Sequence, residues 1–110
     1  MEDVQREVLL QRGLDEKIAI LSKRQRRLIL LTLQHNEEKQ ESALLFRGGD
    51  ETEDAEIQLV HNHLPRLEAA GYIEWDQDTG TISKGPNYDE IKPLLDLMEN
   101  HADELPSDWP

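Results

Sequence analysis

Gln58, His61, Asn62 and Arg66 recur at the three- and four-residue spacing that places side chains on one face of a helix. Each can donate or accept a hydrogen bond at a base edge or a phosphate. The chemistry on offer is therefore polar recognition rather than bond making. Ile57, Val60, Leu64 and Leu67 interleave with them and form the opposite, apolar face of the same helix. Pro65 sits between the two faces and cannot donate to the His61 carbonyl, so the helix is expected to bend there.

A second group lies upstream. Lys23, Arg24, Arg26 and Arg27 fall in the first turns of a segment continuing through Leu28, Ile29, Leu30, Leu31 and Leu33. Four cations at a helix start oppose the local dipole, which prefers anions. They are either a solvated face paired with nearby acids or a cluster that meets phosphate. His61 and His63 are two residues apart and point to nearly opposite sides of a helix, so they do not readily share a metal ion. His35 and His101 could join them only through tertiary or dimer contacts, and ordinary polar or partly buried histidines are the simpler reading. No metal and no cofactor are expected. The sequence contains no glycine-rich phosphate loop and no Ser/His/Asp arrangement, so it gives no reason to expect an enzyme.

The elements that must hold these residues can be read in order. Val4, Val8, Leu14, Ile18 and Leu21 are loosely helical, interrupted at Arg12-Gly13; residues 1–21 form a packed N-terminal helix or a dimerisation arm. Ser22 is an N-cap type for the next helix, which ends near His35-Asn36. Ser42 to Phe46 is a strand or a single helical turn. The recognition-type helix runs from about Glu53 to Ala70, with Asp50 or Thr52 as its cap and Gly71 as a left-handed stop. Tyr72 to Trp75 and Thr81 to Ser83 make a hairpin around Asp76–Gly80, with Ile73, Trp75 and Ile82 facing the helices. A last helix starts near Asn87 or Asp89. Asn87 and Glu90 have capping-box spacing, and Pro93 lies early enough to be tolerated. Its stripe of Ile91, Leu94, Leu95, Met98, Ala102 and Leu105 either closes the core or packs against a second copy. Residues 106–110 form a tail.

Composition sets the outer bounds. A chain of 110 residues supports one domain, and with no cysteine it has neither disulfides nor thiolate metal sites. No signal peptide is visible, and no apolar run approaches the roughly 18 residues of a membrane span. A cytoplasmic protein is expected. Twenty-four acids against twelve lysines and arginines give a net charge of −12. Residues 1–47 carry nine basic and eight acidic side chains, so nearly all the excess lies beyond them. In molar salt the Debye length falls to about 3 Å and such self-repulsion is screened. The acidity is read first as adaptation to a high-salt cytoplasm, with a cationic partner as the alternative.

Helix, irregular segment, helix, glycine stop, hairpin, helix is the order of a winged helix-turn-helix. "LSKRQRRLILLTL" resembles the first core helix of ArsR-type winged-helix regulators, and "HNHLPRLEAAGYIEWD" is similar to their recognition helix and first wing strand. "HLPRLEAAGYIEWD…TGTISKGPNYDEIKPLL…HADELP" more narrowly resembles haloarchaeal winged-helix proteins, a group of proposed regulators and domains of unknown function. The resemblance implies a mainly α fold with a small β-hairpin wing (α+β), the winged helix over 22–85, an N-terminal flanking helix, and a C-terminal one over 86–105. It also implies a dimeric, sequence-specific binder of double-stranded DNA. Gln58, His61, Asn62 and Arg66 would lie in the groove, with Lys84 at the wing base and Lys23, Arg24 and Arg27 on the backbone. Ile91, Leu94, Leu95 and Met98 would form the dimer contact. Two features depart from that pattern. "EEKQESALLFRGGDETE" reads as a poor helix where the first half of the helix-turn-helix belongs, and Asp76 and Asp78 make the wing tip acidic. They support the alternative of a winged-helix module that binds an unidentified protein and no DNA.

Overall fold

A computed structural model describes residues 11–47 and 57–110. Helix α1 (Glu16–Leu21) leads into α2 (Arg24–Gln34), followed by strand β1 (Glu38–Gln40) and helix α3 (Glu41–Arg47). A wide π-helical stretch, Leu59–His63, then runs straight into α4 (Leu64–Ala69). Strands β2 (Ile73–Asp76) and β3 (Thr81–Lys84) form the hairpin, and α5 (Tyr88–Asn100) ends in a 3-10 turn, Ala102–Glu104. The fold is mainly helical with a small antiparallel sheet in the order β1-β3-β2, the arrangement of a winged helix with flanking helices.

Helix α2 is the axis of the core. Every residue from Leu28 to Leu33 is buried, and α1, α3 and α5 pack around it. Leu59, Leu64 and Leu67 close it from the α4 side, Ile91 and Leu95 from α5, and Ile73 and Ile82 from the sheet. The strand pairing explains the alternation. Trp75 opposes Ile82, and Ile73 opposes Lys84, so these residues share the inner face; Trp75 completes it half-buried. Glu74, Asp76, Thr81, Ser83 and Glu38 lie on the outer face.

Several local expectations are met, and others are corrected. Gly13 breaks the helical path with ψ −109°, as the Arg12-Gly13 pair suggested. Ser22 does not cap α2: its hydroxyl donates to the Ala19 carbonyl at 2.6 Å and closes α1 instead, leaving extended Lys23 at the N-cap without a side-chain bond. Ser42 to Phe46 is helical, within α3, so the first half of the helix-turn-helix does form. Its Glu41 carboxylate accepts from the Trp75 indole at 2.9 Å, a tertiary anchor that local propensity does not reveal. The third strand, β1, was not anticipated; Glu38, Lys39 and Gln40 carry no apolar alternation and pair only because β3 offers a free edge. In α1, Ile20 and Leu21 enter the core while Ile18 is 54% exposed, as is Leu14 just before the helix at 57%. Asn87 and Glu90 make no reciprocal capping box, because the Asn87 side chain instead donates to the Ala70 carbonyl. Residues 1–10 and 48–56 lie outside the described residues, and with them Val4, Val8, the double glycine, the Asp50 or Thr52 cap and the first turn of the expected Glu53 helix.

Gly71 stops α4 as expected, at φ +82°. Tyr72 N–H donates to the Leu67 carbonyl and Gly71 N–H to that of Glu68, the paired bonds of a Schellman end. A Cβ at this position would lie 2.5 Å from the Asn87 amide nitrogen. Gly71→Ala is expected to cost about 1–2 kcal/mol for the left-handed conformation alone. In urea denaturation the midpoint should fall with the slope unchanged; an unaltered midpoint would contradict this account of the turn.

Candidate nucleic-acid interface

Helix α4 and the π-helical stretch before it occupy the recognition position. The widening has a local cause: Pro65 has no N–H for the His61 carbonyl and its ring crowds that turn, and the Leu64 N–H reaches back five residues to the Leu59 carbonyl. The bend expected at Pro65 is thus expressed as a π-turn immediately before it. Gln58, His61, Asn62 and Arg66 are all exposed on the outer side, while Leu59, His63, Leu64 and Leu67 are buried. Ile57, expected on the apolar face, is exposed, and Val60 is half-buried. The Asn62 amide donates to Gln58 Oε1 at 3.1 Å, holding two of the outward groups in register.

The two histidines separate as the helical geometry requires: His61 is exposed, His63 buried. His63 has a partner that the spacing alone did not suggest. Arg26 is only 5% exposed, and its Nε donates to His63 Nδ1 at 3.2 Å while Nη1 donates to the Ala19 carbonyl at 3.2 Å. One guanidinium therefore ties α1, α2 and the π-helical stretch that leads into α4 together. Burial, then the neighbouring Arg26 and Lys23 charges, hold the His63 pKa below its ordinary value. Burial and Arg66 lower that of Arg26. The available sequence signal was that position 63 falls beside Val60, Leu64 and Leu67 on the inward side.

The upstream basic cluster does not form one outward strip. Lys23 and Arg24 are exposed and Arg26 is internal. Arg24 Nε donates to a backbone oxygen of Pro110 at 3.2 Å. Arg27 Nη1 donates to the Leu21 carbonyl at 2.7 Å, and its Nη2 reaches Pro110 at 3.4 Å. Lys84 stands at the base of the wing with its ammonium 5.1 Å from the centre of the Tyr88 ring, within cation–π range.

The wing's acidic tip has a structural reason. Asp76 Oδ1 accepts the backbone N–H groups of Asp78 and Thr79, at 3.0 and 3.4 Å, and shapes the turn that Gly80 closes at φ +73°. The outer face of the sheet is acidic as well. Glu38, Glu74 and Asp76, with Glu68 from α4, border an open hollow of about 660 Å³.

On α5, Ile91 and Leu95 are fully buried within the single chain, and Leu94 and Met98 pack half-buried against the same core. A dimer built on this helix would have to use Leu94, Met98 and the 55% exposed Leu97. The inner side is fixed to α2 by Tyr88, whose hydroxyl donates to the Leu30 carbonyl at 2.7 Å, and by Gln34, which donates to Asp96 and Glu99. Among the described residues no three His, Asp or Glu side chains converge on a metal position, and no helix is long and apolar enough to cross a membrane.

Residues 35–83 match the model of a domain of unknown function, DUF7344. That span runs from the end of α2 through β1, α3, α4 and the hairpin. No curated protein and no solved structure matches the chain.

Proposed function

We propose that this chain is a sequence-specific DNA-binding regulator that lays α4 and the turn before it in the major groove, acting as a dimer in a salt-rich cytoplasm. One observation carries the reading. In a winged-helix arrangement, the outward face of the recognition helix presents Gln58, His61, Asn62 and Arg66, all exposed and none acidic, in a chain of net charge −12. An amide pair and a guanidinium are the side chains best matched to adenine and guanine edges. In molar salt the repulsion of the acidic sheet face is screened within a few ångströms, whereas direct hydrogen bonds to bases are not.

A selection from genomic fragments, followed by fluorescence anisotropy at several KCl concentrations, tests the reading. Arg66→Ala is expected to weaken the selected duplex by about 1–3 kcal/mol, roughly five- to 150-fold, and to leave folding unchanged. Failure of the folded protein to enrich any sequence would refute it. The acidic hollow, with Arg24, Arg26 and Arg27 engaged internally, favours the second reading, a winged-helix module that contacts a protein. That reading predicts no duplex binding at any salt concentration.

A further inference from the structure

Ile57, which left the expected apolar face, stands beside the polar groups of the recognition surface. It is 44% exposed and directly precedes Gln58, one turn ahead of His61. Among the described residues, the other exposed large aliphatic side chains lie elsewhere: Leu14 and Ile18 at α1, and Leu97 on α5. An aliphatic group in water gains by burying its surface. On the base edges of the major groove its apolar target is the 5-methyl group of thymine.

The amides next to Ile57 are engaged with each other. Asn62 Nδ2 donates to Gln58 Oε1 at 3.1 Å. That bond leaves the Gln58 amino group to donate and the Asn62 side-chain oxygen to accept. Adenine presents the matching pair, N7 to accept and the N6 amino group to donate. Guanine presents two acceptors and cytosine a single donor. A donor and an acceptor held in register, with an aliphatic group alongside, therefore fit an A·T pair as a whole.

We infer that Ile57 is a base-reading residue, packing on a thymine methyl group while the Gln58–Asn62 amide pair takes the adenine. The inference rests on the DNA-binding reading and names the base pair that this end of the face selects. Neither apolar burial nor a direct hydrogen bond to a base releases counterions as a phosphate contact does. The discrimination should therefore stay constant as KCl rises, while overall affinity falls.

The test uses the duplex enriched from genomic fragments and the full chain as parent, Ile57→Ala, Ile57→Val and Gln58→Ala, each first shown to keep the parent's urea midpoint. Every thymine is replaced in turn by deoxyuridine, which removes the methyl group alone, and affinity is read by fluorescence anisotropy. At one thymine in each half-site, the parent should lose about fourfold, the worth of one buried methyl group. Ile57→Val should keep that loss, and Ile57→Ala should bind the two duplexes equally. Exchanging the same A·T pair for G·C should cost the parent about tenfold or more and Gln58→Ala much less. The absence of any sensitive thymine, or an equal loss in the parent and Ile57→Ala, overturns the inference while the enriched site upholds the DNA reading. An equal cost of the G·C exchange in the parent and Gln58→Ala overturns the assignment of the amides to adenine. Failure to enrich any sequence removes the DNA reading itself and this inference with it.

Discussion

Ile82→Ala is expected to remove about 2–5 kcal/mol of folding free energy, the range for truncating a fully buried aliphatic side chain. Domains of this size have about 5–15 kcal/mol in total, so the variant would sit near the edge of unfolding. Three features put Ile82 at the upper end. It lies on β3, the middle strand, opposite Lys39 on β1 and Trp75 on β2. It has no exposed surface, and the helices cover it, so little can collapse into the space left behind. The same strand gives the control. Ser83 is the next residue and faces the other side of the sheet, where Ser83→Ala should stay within about 0.5 kcal/mol. Urea titrations of the two variants decide the matter: similar midpoints would mean that the sheet is not closed onto the helices as described. For function, the expected consequence is indirect. β2 and β3 brace the end of α4 at Gly71, so a loosened sheet should weaken any ligand of the Gln58–Arg66 face without touching it.

How much of this was legible depends on what each residue answers to. The Leu28–Leu33 run follows from its apolar composition, and the Leu64/Leu67 side of the helix ending at Gly71 and the Ile73/Trp75/Ile82 side of the hairpin follow from periodicity, which the core enforces directly, whereas Ile57 on the same expected face is exposed. Strand β1 and helix α3 were obscured because they are decided by partners: the free edge of β3 for Glu38–Gln40, and the Trp75 indole for Glu41. Ser22 shows the same thing in miniature, since a good cap residue is as well used closing one helix as opening the next. The candidate site divides along similar lines. Outward positions on α4 and the π-helical stretch before it are fixed by helical spacing, and they are found exposed. The basic cluster is different, because charge says only that Lys23, Arg24, Arg26 and Arg27 need partners. A carbonyl, a histidine ring or a phosphate meets that need equally well. Here Arg26 took the ring, and Arg24 and Arg27 took the tail.

The Arg26–His63 contact makes folding sensitive to mild acid. His63 Nδ1 accepts from Arg26 Nε, so the ring must be neutral at that nitrogen; protonation removes the acceptor and sets a cation against Arg26, with Lys23 and Arg66 close by. The folded-state pKa is therefore below the ordinary 6.5 that applies to the unfolded chain. Below pH 6.5 the unfolded chain binds the extra proton and the folded one resists it. This contribution to stability is thus complete above pH 6.5 and is lost as the pH falls from there toward the folded value. One proton gives a slope of at most about 1.4 kcal/mol per pH unit in that window. Carboxylates titrate at lower pH, so the comparison belongs between pH 8 and 5.5, as the difference between the parent and His63→Gln. The expected result is a parent that loses stability across the window and a variant in which that part of the slope is gone. Arg26→Met should behave differently again. It leaves His63 Nδ1 without its donor, costing about 1–3 kcal/mol at neutral pH, while the Ala19 carbonyl still accepts from the Ser22 hydroxyl. It also removes the nearest charge, so the remaining acid loss should be shallower than in the parent. Equal slopes in all three proteins would mean that His63 is not held neutral by Arg26. With the slopes as expected, α4 owes its position in part to a single uncharged imidazole, and mild acid should loosen the Gln58–Arg66 face before the core gives way.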